Sequence, residues 1–182
     1  GALLIADEVL TGFGRCGDWF ASKRAGIQPD LMALSKGLTG GCLPMGVTMA
    51  SETIFEGFLG GEPQDTFWHG HSFTANPLGC AAANASLDLL EASPESFLGF
   101  EQRHRPHLED LASHPRLQRP RLLGTVAAFD LNVEGCSGYL NPAGPTVKRL
   151  AMEQGVFLRP LGQVVYLMPP LCITKAVSYT HL

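Results

Sequence analysis

Asp7 and Lys36 are the two residues of this sequence whose types and settings could do chemistry together. Asp7 closes the apolar run 2–6, which reads as a short strand buried on both faces of a parallel sheet. Lys36 follows a second apolar run, Leu31–Leu34, and is fenced by Gly37, Gly40 and Gly41. In an open α/β sheet the carboxyl ends of the strands face the ligand crevice. A lysine placed there becomes a nucleophile when desolvation lowers its amine's pKa, and a small-residue loop leaves room for a bulky carbonyl cofactor. An acid placed there pairs with a protonated pyridine nitrogen while the lysine forms a Schiff base with an aldehyde. Those are the two protein groups that pyridoxal 5'-phosphate requires. Taken singly, each residue has a plainer structural reading; taken together, they point to this cofactor.

Other motifs fit their chemistry less well. Residues 12–17 match G-x-G-x-x-G, but two acids, Val9, Leu10 and Thr11 intervene between the strand and Gly12, and Asp30 precedes the second strand where a dinucleotide site needs an acid after it. Ser35-Lys36-Gly37 reverses the order of a phosphate loop and leads to a strand. His69 and His71 put both rings on one face of an extended stretch, yet no Cys or acid nearby completes a metal site, so none is expected. His104, His107 and His114 fall in a charged stretch and are expected to be solvated.

The elements that must hold Asp7 and Lys36 read as β-loop-α-β-loop-β. The strands are 2–6, Leu31–Leu34 and Val47–Ala50, with Asp18 capping a short helix that Gly26 stops. Asn76 ahead of Pro77 starts a helix that runs to Ala92. Residues 94–120 read as a helical linker, with Pro106 expected to kink or split the helix 94–114. Beyond it, 122–133 and 164–168 read as strands and 146–154 as a helix closed by Gly155. The expected fold class is α/β. Residues 1–93 form part of a large sheet domain, 121–175 a smaller α+β domain, and 176–182 a non-native tail that continues no pattern.

A net charge of −4 argues against nucleic-acid binding, and no apolar run is long enough for a membrane span. Five widely spaced cysteines suit a reduced, cytoplasmic setting better than a disulfide framework. Charged residues make up 16% of the chain, against about 25% for an average soluble protein, which reads as a folded piece with much buried surface. The chain is expected to begin mid-protein, on a core strand.

Residues 5–9 and 11–15, then Pro29-Asp30, then 35–41, resemble in order and spacing the signature of the class III pyridoxal-phosphate aminotransferases. The resemblance implies a fold-type I transferase: the C-terminal part of its large, mainly parallel-sheet domain, then a small α+β domain. It assigns Asp7 to the ring nitrogen, Val9 to the ring face and Lys36 to the aldehyde. The stretch 69–73 with 76–78 resembles a loop that crosses a homodimer to the partner's cofactor phosphate, which implies His71 and Ser72 as cofactor contacts and Gly70 as a substrate contact. Leu10 departs from the glutamine of the ornithine and 4-aminobutyrate branches. Residues 155–162 and 165–170 resemble the branch that serves biotin synthesis, implying 8-amino-7-oxononanoate as acceptor and S-adenosylmethionine as donor, with lysine-using relatives known. On that reading Arg15 and Arg159 contact substrate, and Arg159 matches a carboxylate bidentately. Two other readings stay open: an aminotransferase of another ω-amino acid, and a catalytically silent piece that pairs with a partner subunit. This chain by itself is expected to be inactive.

Overall fold

The computed structural model describes residues 1–134 and 138–173; the expected non-native tail lies outside the described residues. The chain divides into two compact units, Gly1–Pro94 and Glu95–Leu182.

In the first unit β1 (Ile5–Asp7) pairs parallel with β2 (Leu31–Leu34), and β2 pairs antiparallel with β3 (Val47–Ala50), giving the order β1-β2-β3. Between β1 and β2 lies the four-residue helix α1 (Ala21–Arg24), and after β3 the short helix α2 (Glu52–Glu56). Phe20, not Asp18, occupies the N-cap of α1; Asp18 instead accepts from the Trp19 amide and pairs with Lys23 at 3.2 Å. The helix α3 (Pro77–Ala92) starts as its sequence dictates, with the Asn76 side chain accepting from the Gly79 amide at 2.8 Å. It packs on the 3-10 turn Lys36–Thr39, and Ala83 joins Phe13, Leu34 and Leu38 in the core. The apolar run 2–6 is not buried on both faces: Leu3, Leu4 and Ile5 are exposed, because β1 has a neighbour on one side only and no described layer covers it.

The second unit is an antiparallel sheet, β4 (Leu117–Leu123), β5 (Val126–Leu131) and β6 (Val164–Leu167) in that order, with helices α4 (Glu95–Leu98), α5 (Phe100–Ala112) and α6 (Ala143–Glu153). The single strand expected over 122–133 is broken, since Gly124 takes φ +56 and turns the chain between β4 and β5, and β4 begins at Leu117, inside the stretch expected as a linker. Residues 94–120, expected as a linker, supply α4 and α5 to this unit, and α5 packs on β4. The helical break falls at Gly99, and α5 continues through Pro106. His104 is not solvated: with Phe97, Phe100 and Leu108 it forms the buried stripe of this segment, its ring stacked on Phe100 at 4.1 Å between centroids.

Candidate cofactor site

Parallel pairing of β1 and β2 sets Asp7 opposite Ala33 and leaves both strands' carboxyl ends on one edge of the sheet. Lys36 comes two residues after β2 ends, so the acid and the amine emerge from adjacent strand ends, as the ligand crevice of an open sheet requires. Both residues are exposed. Asp7 accepts from the Val9 amide through Oδ1 alone (3.1 Å), which leaves Oδ2 for an external donor among the described residues.

Lys36 takes φ +46, a left-handed conformation that costs a non-glycine residue on the order of 1–3 kcal/mol. The surroundings hold it there. The Gly41 amide donates to the Lys36 carbonyl (3.2 Å), Leu38 to Ser35 (3.0 Å), Ser35 Oγ to the Met45 carbonyl (2.6 Å) and Ser86 Oγ to the Gly37 carbonyl (3.1 Å). Phe13, Ala75 and Arg119 share a left-handed φ, so the strain at Lys36 is a feature of its turn.

The turn after β1 is built by Glu8, whose role the sequence reading missed. Its carboxylate is buried and accepts from Thr11 Oγ1, from the Ala21 amide (3.1 Å) and from the Ser22 amide (2.6 Å). Burial pushes its pKa up, but those donors together with the Ser22 hydroxyl outweigh burial and hold it below the usual carboxylate range. The signal was present as an acid three residues ahead of a threonine, yet the two backbone partners depend on where the chain returns. Val9 is half-buried in the same turn, and so is Arg15, whose guanidinium burial pulls down, opposed by the neighbouring Cys16.

A cleft of about 830 Å³ lies beside this edge, and Ser35, His69, Gly70 and His71 are among its lining residues. His71 is held locally, its amide donating to Thr74 Oγ1 and its Nδ1 accepting from the Phe73 amide, each at 3.1 Å. Ser72 is exposed and outside the lining. Asp7, Val9, Arg15 and Lys36 therefore share the sheet edge and its turns, while Gly70 and His71 share the cleft. Arg159 belongs to the second unit, exposed between α6 and β6. Among the described residues no cluster of three or more metal-ligating side chains occurs, and no helix is long and apolar enough to cross a membrane.

The two strand ends, the turn between them and the strained lysine define a class: the chain belongs to the aminotransferase class-III family, whose model matches residues 1–180. Members of that class depend in general on pyridoxal phosphate, and the fold is that of fold-type I transferases. Among its relatives is the adenosylmethionine-8-amino-7-oxononanoate aminotransferase of Synechococcus elongatus, 60% identical over 174 residues, covering 96% of this chain and 41% of that protein. The protein of the same name from Geobacter sulfurreducens is 42% identical, with 94% and 40% covered. Among solved structures, the enzyme of that name from Methanocaldococcus jannaschii superposes with a TM-score of 0.86 at 33% identity, over 97% of this chain and 43% of that one. The ω-transaminase of Pseudomonas jessenii in complex with PMP gives 0.84 at 28% identity, over 98% and 42%. The chain spans about two fifths of the length of these curated relatives.

Proposed function

We propose that this chain is part of a cytoplasmic, homodimeric aminotransferase that converts 8-amino-7-oxononanoate to 7,8-diaminononanoate in biotin synthesis, with S-adenosylmethionine as amino donor. The observation that carries the reading is the 60% identity over 174 residues to a protein of that name. On this reading residues 1–93 end the large cofactor-binding domain and 121–175 make up the small domain.

The residues present fit pyridoxal 5'-phosphate. Asp7 offers a carboxylate oxygen without a described partner for the ring nitrogen, and Lys36 offers an amine beside glycines, of which Gly41 has open space where a Cβ would stand. When bound, the cofactor supplies an electron sink for the substrate's carbanion. Lys36 would hold the cofactor through its aldehyde, and its free amine would move the proton at the substrate carbon as acid and base. Asp7 would keep a proton on the ring nitrogen and Val9 would pack on the ring face, while His71 and Ser72 would reach the phosphate of the partner subunit's cofactor. Gly70, Arg15 and Arg159 bind substrate, with the Arg159 guanidinium on the carboxylate of the oxo acid.

The test is amino transfer by the complete enzyme, presented with 8-amino-7-oxononanoate and S-adenosylmethionine. Formation of 7,8-diaminononanoate is expected. Turnover of other ω-amino acids with none of this substrate would move the chain to another class III branch, and no turnover of any amine would leave the silent-subunit reading.

A further inference from the structure

Glu8 adjoins Asp7, the last residue of β1, but the two differ in burial. Asp7 is exposed on the sheet edge, whereas Glu8 is one of the largest fully buried side chains. Every polar group of Glu8 is engaged. Its amide donates to the Ala33 carbonyl of β2 (3.0 Å), its carbonyl accepts from the Gly12 amide (3.0 Å), and its carboxylate takes Thr11 Oγ1 and the Ala21 and Ser22 amides. One residue thus ties the end of β1 to β2, to the turn 8–12 and to the start of α1. The same turn carries the Val9 amide that donates to Asp7 Oδ1 at 3.1 Å.

We propose that Glu8 is the positioning residue of the ring-nitrogen acid: its carboxylate locks the turn 8–12, which fixes the Val9 amide and through it the Asp7 carboxylate. The inference rests on the cofactor reading of Asp7. The clamp needs an ionised carboxylate, because Oε1 accepts from one backbone amide and Oε2 from another. Neither amide can reverse its role. A glutamine of the same size would turn an NH2 toward a donor and leave one buried group unpaired. These donors, with the Ser22 hydroxyl, hold the Glu8 carboxyl below the usual carboxylate range.

The experiment compares Glu8→Gln, Thr11→Val, Thr11→Ser and Asp7→Asn in the complete enzyme. Three readouts are taken: melting temperature and hydrogen exchange at the Ala21 and Ser22 amides without cofactor, the pH titration of the bound cofactor's visible absorbance, and kcat against KM. Glu8→Gln is expected to speed exchange at those amides, to shift the absorbance titration in the direction of Asp7→Asn, and to lower kcat by about 10- to 100-fold with KM little changed. Thr11→Val moves the same readouts less, Thr11→Ser restores them, and this pair decides the matter if Glu8→Gln does not fold. A folded Glu8→Gln with a lower melting temperature but wild-type titration and kcat would show Glu8 to be structural only and overturn the proposal. Failure of the cofactor reading looks different, since Asp7→Asn would then leave the absorbance titration and turnover unchanged.

Discussion

Phe13 lies directly against Gly37: a Cβ built on Gly37 would stand 3.0 Å from the Phe13 Cβ and 3.2 Å from its Cδ2. The contact joins the turn that follows Asp7 to the turn that begins with Lys36, so the two halves of the proposed cofactor site share one packing surface. Phe13 is itself held at φ +59 with its amide on the Trp19 carbonyl (2.7 Å), and cannot simply withdraw. Gly37→Ala in the complete enzyme should therefore displace one turn or the other. The expected loss is about 1–3 kcal/mol of stability, with weakened cofactor retention, read by thermal unfolding and cofactor titration. Unchanged stability and affinity would mean that the two turns move independently.

Asp130 is buried and pairs with Arg121 at 2.7 Å and with Arg119, both arginines reaching solvent. Burial alone would push its pKa up, but the hydrogen bonds and charges of the two guanidiniums hold it below the usual range. Removing one arginine leaves the other in place, and should cost about 1 kcal/mol. Removing both strands a buried carboxylate, and should cost about 3–5 kcal/mol, more than the two single losses added. Chemical denaturation of the three variants gives the coupling; additive losses would refute it.

His104 gives the second unit a pH dependence. Burial above all, then the charges of Arg103 and His107, push its pKa from 6.5 down to about 4. The unfolded chain therefore binds more protons than the folded one between those values. Stability from this group is complete above about pH 6.5 and falls as pH drops toward 4, by no more than about 3 kcal/mol. His104→Phe keeps a ring on Phe100 and should flatten the melting temperature between pH 7 and 5. A slope equal to wild type would assign the dependence to other groups.

Arg159, exposed in the second unit, is the proposed anchor of the oxo acid's carboxylate. Arg159→Ala should lower kcat/KM for 8-amino-7-oxononanoate, by the equivalent of about 2–5 kcal/mol if the pair with the carboxylate is buried in the complex, while the cofactor's affinity holds. If kcat/KM stays, or both fall together, the anchor lies elsewhere.

The sheet that carries the site was legible because apolar runs ended abruptly: Leu31–Leu34 and Val47–Ala50 are strands with those bounds, and Asn76 with Pro77 marked the start of α3. Asp7 and Lys36 were legible as strand-end residues for the same reason. The segment from Glu95 to Ala112 misled because charges and histidines are spread through it, although Phe97, Phe100, His104 and Leu108 recur at helical spacing and make the buried stripe. The hairpin at Gly124 was hidden in one apolar run that a left-handed glycine folds in two. The clamp of Glu8 could not be read at all from spacing, since the Ala21 and Ser22 amides meet it only once α1 has returned to the sheet edge.

The central claim is that Lys36 is the residue joined to the cofactor, opposite an acid at Asp7. Borohydride treatment of the complete enzyme loaded with pyridoxal phosphate, followed by peptide mapping, tests it most directly. The label should fall on the peptide carrying Lys36 and nowhere else at stoichiometric yield. Label on Lys23, which already pairs with Asp18, on Lys148 of α6, or on any other lysine would contradict the account.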